Sequence, residues 1–217
     1  MPDSRLKTAV VCNTHVLAFN RFCVFRPQYL LLTADSYRRQ TELLDASDLA
    51  ATWAVLEALQ TEHFAIYNCG PVAGCSRLHK HLQIFPTSPD FTLFPDRADL
   101  DLDRVPFWFF WSRFEARDLS LSQSEGRARL YGVYQRLVVE AQAALDARQP
   151  SLDYFPHNVV LTRRWIVVIP RCRQTFHGLS ANAAGMCGMI WTATREQVTR
   201  WREEGPTRVL SELGLGK

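Results

Sequence analysis

His79, His81 and Gln83 occupy alternate positions in the segment His79-Lys80-His81-Leu82-Gln83-Ile84-Phe85, which reads as a β-strand and stops at Pro86. Successive strand side chains alternate faces, so this spacing sets two imidazoles and one carboxamide in a row. Lys80, Leu82 and Ile84 fall on the opposite side, where the two apolar ones can meet a core. Imidazole has an unperturbed pKa of about 6.5, so near neutral pH much of it is an uncharged nucleophile. Attack on an α-phosphorus gives a phosphoramidate that a second acceptor can break, which turns one hard displacement into two easier ones. Glutamine offers no acidic proton, but it can hold a non-bridging phosphate oxygen. A polyphosphate leaving group needs positive charge more than it needs an acid, and Arg21 or the pair Arg171 and Arg173 can supply it.

Just upstream lies Asn68-Cys69-Gly70-Pro71-Val72-Ala73-Gly74-Cys75-Ser76-Arg77. Its glycines lack a Cβ, so backbone N–H groups can approach an anion closely, and Asn68 and Ser76 add uncharged polar groups. Plainer readings compete. An HxH pair on a strand, taken alone, more often marks metal ligation or a satisfied core pair than a nucleophile. Cys69, Cys75, His79 and His81 would give the zinc spacing Cys-x5-Cys-x3-His-x-His, which is not a usual structural pattern, and no metal site is assigned. Trp53 and the run Phe107 to Trp111 read as core, Arg163-Arg164 as a solvated turn, and His63, His157 and His177 receive no role.

The elements that must position this row follow from local patterns. Residues from about Thr8 to Thr33 read as strands, one including Phe22, Val24 and Phe25 and a second over 29–33, with turns at Asn20-Arg21 and Arg26 to Gln28. Ser47 reads as a helix N-cap, followed by Leu49, Trp53, Leu56 and Leu59 at helical spacing. Phe64 to Asn68 is a short strand. Thr87 to Arg104 is polar and Pro-punctuated, a loop and the expected internal boundary, dividing the chain into 1–90 and 91–217. Beyond it come a strand at Phe107 to Trp111, a helix over about 125–146, strands at Val159 to Leu161 and Trp165 to Ile169, and two helices between Thr194 and Leu213. This mixture predicts an α+β fold with a largely antiparallel sheet and flanking helices.

Composition bounds the setting. The 217 residues are 47% apolar, with 6 Trp and 13 Phe, enough for a well-filled core. A net charge of +3 does not describe a polycation for nucleic acid, but it leaves room for a local basic pocket. Six scattered cysteines without a CxxC pair read as reduced thiols, Met1 to Arg5 opens no signal-peptide hydrophobic region, and no apolar run approaches the roughly 20 residues of a membrane span. The expected protein is cytoplasmic or nuclear, with small-molecule partners, no nucleic acid and no membrane.

The segment from Asn68 to Ile84, with its HKHLQ core, resembles the signature of diadenosine tetraphosphate phosphorylases, also called ATP adenylyltransferases. These belong to the galactose-1-phosphate uridylyltransferase branch of the histidine-triad superfamily, whose hydrolases usually carry a third histidine where this chain has Gln83. Two further stretches are similar to the family: His15 to Phe22 with Leu30 to Thr33, and Asn158 to Arg171 followed by Gly178 to Gly185. Arg21 stands where relatives usually have lysine, and Cys75-Ser76-Arg77-Leu78 where they have Ala-Ser-Gln-Pro. The resemblance implies a HIT-like fold, with His81 as the adenylylated nucleophile, Gln83 at the α-phosphate and His79 orienting its surroundings. It places Asn68, Gly74, Cys75 and Ser76 along the phosphate loop. The implied reaction is phosphorolysis of the dinucleotide to ATP and ADP, with no tightly bound cofactor and Mg²⁺ arriving with substrate. A dinucleoside polyphosphate hydrolase and a catalytically weak nucleotide-binding protein are the alternatives.

Overall fold

In the computed structural model, which describes residues 7–98, 101–115, 124–150 and 152–217, eight strands form one sheet. They are β1 (Lys7–Val11), β2 (His15–Phe19), β3 (Tyr29–Thr33), β4 (His63–Cys69), β5 (His81–Pro86), β6 (Phe110–Arg113), β7 (His157–Leu161) and β8 (Trp165–Pro170). Their order across the sheet is β1-β2-β3-β5-β4-β7-β8-β6, and every paired neighbour is antiparallel. Helices α1 (Ala46–Ala58) and α2 (Ser124–Asp146) cover one face, and the short α3 (Ala183–Met186) lies on the other with α4 (Arg195–Glu204) and α5 (Pro206–Leu213). The α+β architecture with flanking helices is the one expected.

The two faces bury separate cores, which explains why the central strands read as continuous apolar runs. Leu82, Ile84, Ala65, Tyr67, Val159 and Ile166 meet α1 and α2, where Leu130, Tyr134, Leu137, Val138, Ala141 and Leu145 form the predicted helical stripe. Phe64, Ile66, Phe85, Val160, Trp165 and Val167 pack on the other side beneath Met186, Trp201 and Val209. His81 and Gln83 share the parity of Phe85, so they belong to this second face.

Three local readings are corrected. Phe22 and Val24 are not in a strand; they are 71% and 61% exposed on a loop between β2 and β3. There Asn20 Oδ1 accepts from the Phe22 N–H and Gln28 Oε1 from the Val24 N–H, so side chains replace a ladder. An unforeseen hairpin joins β1 to β2, with Cys12 and Asn13 both in the left-handed region. The cap of α1 is Asp45, not Ser47: Asp45 Oδ1 accepts from the Ser47 and Asp48 N–H groups, and the Asp48 carboxylate accepts from the Asp45 N–H at 2.8 Å. Residues 1–5, on which the leader reading rests, lie outside the described residues. No helix is long and apolar enough to cross a membrane among the described residues.

Candidate active site

β5 brings His81 and Gln83 into the middle of the sheet, between β3 and β4. His81 is buried, and its Nδ1 lies 2.9 Å from the carbonyl oxygen of His79. A carbonyl can only accept, so the ring proton sits on Nδ1 and Nε2 keeps its lone pair. Burial holds the imidazole below its ordinary pKa of 6.5; the bond to His79 opposes this, and the nearby charge of Arg77 adds to it. The result is a neutral ring with a fixed tautomer, as a nucleophile at phosphorus requires.

His79 stands just before β5 rather than in it, half-buried. Its Nε2 is 3.0 Å from both the carbonyl and the hydroxyl oxygen of Thr33, which anchors it to β3. What orients His81 is therefore the carbonyl of His79, while the His79 ring secures the segment that carries that carbonyl. Gln83 is half-buried, and its Oε1 accepts from Gln28 Nε2 at 2.7 Å. That bond commits the oxygen and leaves the Gln83 NH₂ group, without a partner among the described residues, as a donor for a phosphate oxygen.

The loop from Gly70 to Lys80 joins β4 to β5 at the His81 end. Pro71–Ala73 forms a 3₁₀ turn that ends at Gly74 with φ 89°, a left-handed backbone, and a Cβ there would sit 3.1 Å from the Ala181 carbonyl oxygen. Asn68, buried at the end of β4, accepts through Oδ1 from Asn158 Nδ2 at 2.9 Å and from the Ala183 N–H at 2.8 Å. Its own amide nitrogen has no partner among the described residues. Cys75 is half-buried and burial pushes its thiol pKa up, which leaves it an uncharged lining group rather than a thiolate. Ser76 is exposed beside it.

The arginines fall out differently from expectation. Arg171 is fully enclosed, and its guanidinium donates to Leu213, Ala73, Ala181 and Arg173 carbonyls and to Asn158 Oδ1. It is a brace under the loop, not an open phosphate ligand, and burial lowers its pKa to about 10. Arg173 is tied to Glu212 instead. Arg21 is exposed on the loop after β2, with its guanidinium 5.7 Å from the Phe22 ring centroid; no described contact joins it to His81. The cation whose field does reach His81 is Arg77. A separate cleft of about 450 Å³ at the far end of β5 is lined by Glu62, Phe64, Phe91 and Arg164, none of them in this row. Its arginine is neutralised by Glu62 and Asp96.

No group of three or more His, Cys, Asp or Glu side chains able to hold a metal occurs among the described residues. Cys69 is buried with its thiol toward the Thr41 carbonyl, in the core of the face opposite His81.

Two family models match the chain, one in each half. The ATP adenylyltransferase C-terminal domain matches residues 103–216 and the Ap4A phosphorylase N-terminal domain residues 2–102. Diadenosine 5',5'''-P1,P4-tetraphosphate phosphorylase 2 of Saccharomyces cerevisiae is 30% identical over 237 residues, covering 94% of this chain and 70% of its own. The chain belongs to the Ap4A phosphorylase family. Protein APA1 of the same yeast is 29% identical over 209 residues, 87% of this chain but 64% of that protein, so the chain spans somewhat less than two thirds of its length. Among solved structures, yeast Ap4A phosphorylase Apa2 superposes over 100% of this chain and 78% of its own at TM-score 0.83 and 27% identity. Apa2 in complex with Ap4A gives 0.81 at 26% identity, covering 99% of this chain and 79% of that one.

The α+β, HIT-like fold of this Ap4A phosphorylase family member is that of Apa2. Sequence reasoning missed Gln28 as the support of Gln83 and Asn158 as the support of Asn68. Asn158 left a usable signal, an amide leading directly into the apolar run Val159 to Leu161, and the structure buries it. Gln28 left none, because a glutamine in a turn is ordinarily a surface residue.

Proposed function

We propose that this chain catalyses phosphorolysis of diadenosine tetraphosphate, with His81 Nε2 as nucleophile. The observation that carries the reading is the His81 Nδ1 bond to the His79 carbonyl, which leaves Nε2 unprotonated inside a buried site. Nε2 attacks an α-phosphorus and an N–P bond forms. The α-phosphoryl P–O bond on the polyphosphate side breaks, and ATP departs. Inorganic phosphate then attacks the same phosphorus, the N–P bond breaks, and ADP leaves. The Gln83 NH₂ group and the Asn68 amide face the non-bridging oxygens as charge builds on them. Arg77 supplies positive charge at the loop. Mg²⁺ enters with the polyphosphate and neutralises its charge; no tightly held metal or cofactor takes part. The yeast relatives' names and the Apa2 complex with Ap4A support the choice of substrate. Six unpaired cysteines support a reducing compartment, the cytoplasm or the nucleus.

Gln83 decides between phosphate and water as acceptor. A carboxamide cannot take a proton from water, whereas phosphate arrives already anionic and sits where the polyphosphate left. Product formation should therefore rise steeply with phosphate, with ADP and ATP as the products. Gln83→His should shift release toward AMP. Product analysis with and without phosphate checks both, and equal turnover without phosphate, yielding AMP, would favour a hydrolase.

The pH dependence has a definite sign. The reactive form of His81 is neutral, and its folded pKa lies below 6.5, so protonation removes the nucleophile only below that value. The rate of adenylyl attachment is expected to stay level from about pH 8 through about 6.5 and to fall on the acid side. A decline centred above 6.5, seen in rapid-quench measurements, would contradict the burial of this ring.

A further inference from the structure

The β4–β5 ladder runs from His63↔Pro86 to Ile66↔Gln83, and continued in register it would bring Tyr67 opposite Leu82 and then Asn68 opposite His81. That pairing does not form. The side chain of Gln40, itself buried, is inserted there instead. Gln40 Nε2 donates to the Asn68 carbonyl at 3.1 Å and to the His81 carbonyl at 3.0 Å, and Gln40 Oε1 accepts from the His81 N–H at 2.8 Å. Its backbone is held as firmly. The Gln40 N–H donates to the Leu78 carbonyl, and its carbonyl accepts from the Gly70 N–H and the Tyr67 hydroxyl. The Lys80 N–H donates to the Arg38 carbonyl alongside.

One carboxamide thus replaces the ladder bonds that two strands would have exchanged, and it spreads the sheet at the position of the nucleophile. The chemistry required is narrow: two N–H donors toward two carbonyls, and one acceptor toward one N–H. We infer that Gln40 is a positioning residue for adenylyl transfer, setting the aim of His81 Nε2 and the gap between His81 and Asn68 in which the α-phosphate is seated. It acts through the His81 backbone and does not touch the phosphate. The catalytic half of this inference rests on the function proposed above; the structural half does not.

Gln40→Glu keeps the shape and changes the protons. An ionised carboxylate would place an oxygen against two carbonyl oxygens, while a protonated one still donates to one of them. Burial favours the protonated form, so the variant should work in acid and fail as its carboxyl ionises. Gln40→Met, similar in size, offers no hydrogen bonds at any pH.

Two readouts on the full chain test this: the rate of AMP attachment from diadenosine tetraphosphate without phosphate, and nitrogen NMR of the His81 ring. Relative to wild type, the Glu variant should lose on the order of a hundredfold in attachment rate between about pH 5.5 and about pH 8, the scale of a misplaced nucleophile. Over the same range its Nδ1–H tautomer signal should give way to a mixture. The Met variant should be slow throughout, with a profile parallel to wild type. If the Glu variant tracks wild type in both readouts, the inference is overturned. It is overturned too if circular dichroism shows both variants unfolded at every pH, which would make Gln40 a folding residue only. Should wild type take up no AMP, the adenylyl-transfer reading fails, and the tautomer measurement alone decides whether Gln40 positions His81.

Discussion

His81→Ala should take up no adenylyl group from diadenosine tetraphosphate, while wild type gains one AMP per chain when phosphate is withheld. Loss of a covalent nucleophile costs on the order of 10⁶ in turnover where it has been measured in an unrelated enzyme, so the effect is close to all or none. The fold should survive, because the ring belongs to the polar row of the second face and, of the described contacts, the substitution removes only its bond to the His79 carbonyl. His79→Ala is the informative contrast. It deletes the bonds to Thr33 but keeps the carbonyl that fixes the His81 tautomer, so attachment should slow without vanishing. Intact-protein mass spectrometry, with circular dichroism for folding, reads both. An AMP adduct on the His81→Ala variant would move the nucleophile elsewhere.

The largest effect on stability is expected at Asp48. Its Oδ2 lies 2.6 Å from Lys80 Nζ and its Oδ1 3.0 Å from His15 Nε2, and all three side chains are buried. Burial alone would raise the Asp48 pKa; the bond from His15 and the charge and bond of Lys80 prevail and hold it down. Asp48→Ala would leave the Lys80 ammonium in the core with only the Leu43 carbonyl at 2.6 Å. Stranding a buried charge in this way costs about 3–5 kcal/mol, a large share of the roughly 5–15 kcal/mol that holds a typical domain. The double variant Asp48→Ala with Lys80→Met should recover most of the loss, because no charge is then stranded. Urea unfolding of the set measures it. A single variant within about 1 kcal/mol of wild type would mean that Lys80 escapes to water.

These two sites also show what could be read from the chain beforehand. The row of His81 and Gln83 was legible because a strand has a side-chain period of two, and Pro86 marks where it stops. The stripe from Leu130 to Leu145 was legible for the same kind of reason, at helical period. Lys80 was placed on the correct face, but its partner could not be named. Asp48 lies 32 positions away, and its acidity fitted a helix start equally well. Gln40 and Gln28 were invisible, since a carboxamide acquires meaning only from the backbone groups it meets. Arg171 misled for the converse reason. An arginine after a strand suggests a phosphate, and only tertiary packing surrounds it with five oxygen acceptors. The hairpin at Cys12-Asn13 escaped because it lacks the glycine that usually advertises left-handed backbone.

The strand order sets a problem for synthesis. The first five strands to emerge from a ribosome assemble as the contiguous block β1-β2-β3-β5-β4, and β4 is then its outer edge. All seven residues of that edge are buried in the finished protein, and its open N–H and C=O groups wait for β7. Such an edge invites pairing with other chains, and a nascent polypeptide keeps it available until β7, which carries Asn158, has been translated. Asn158 is also the residue whose amide reaches Asn68 at the end of β4. Closing the dangerous edge and completing the proposed phosphate seat are therefore one event, and a half-made chain can be sticky before that seat exists.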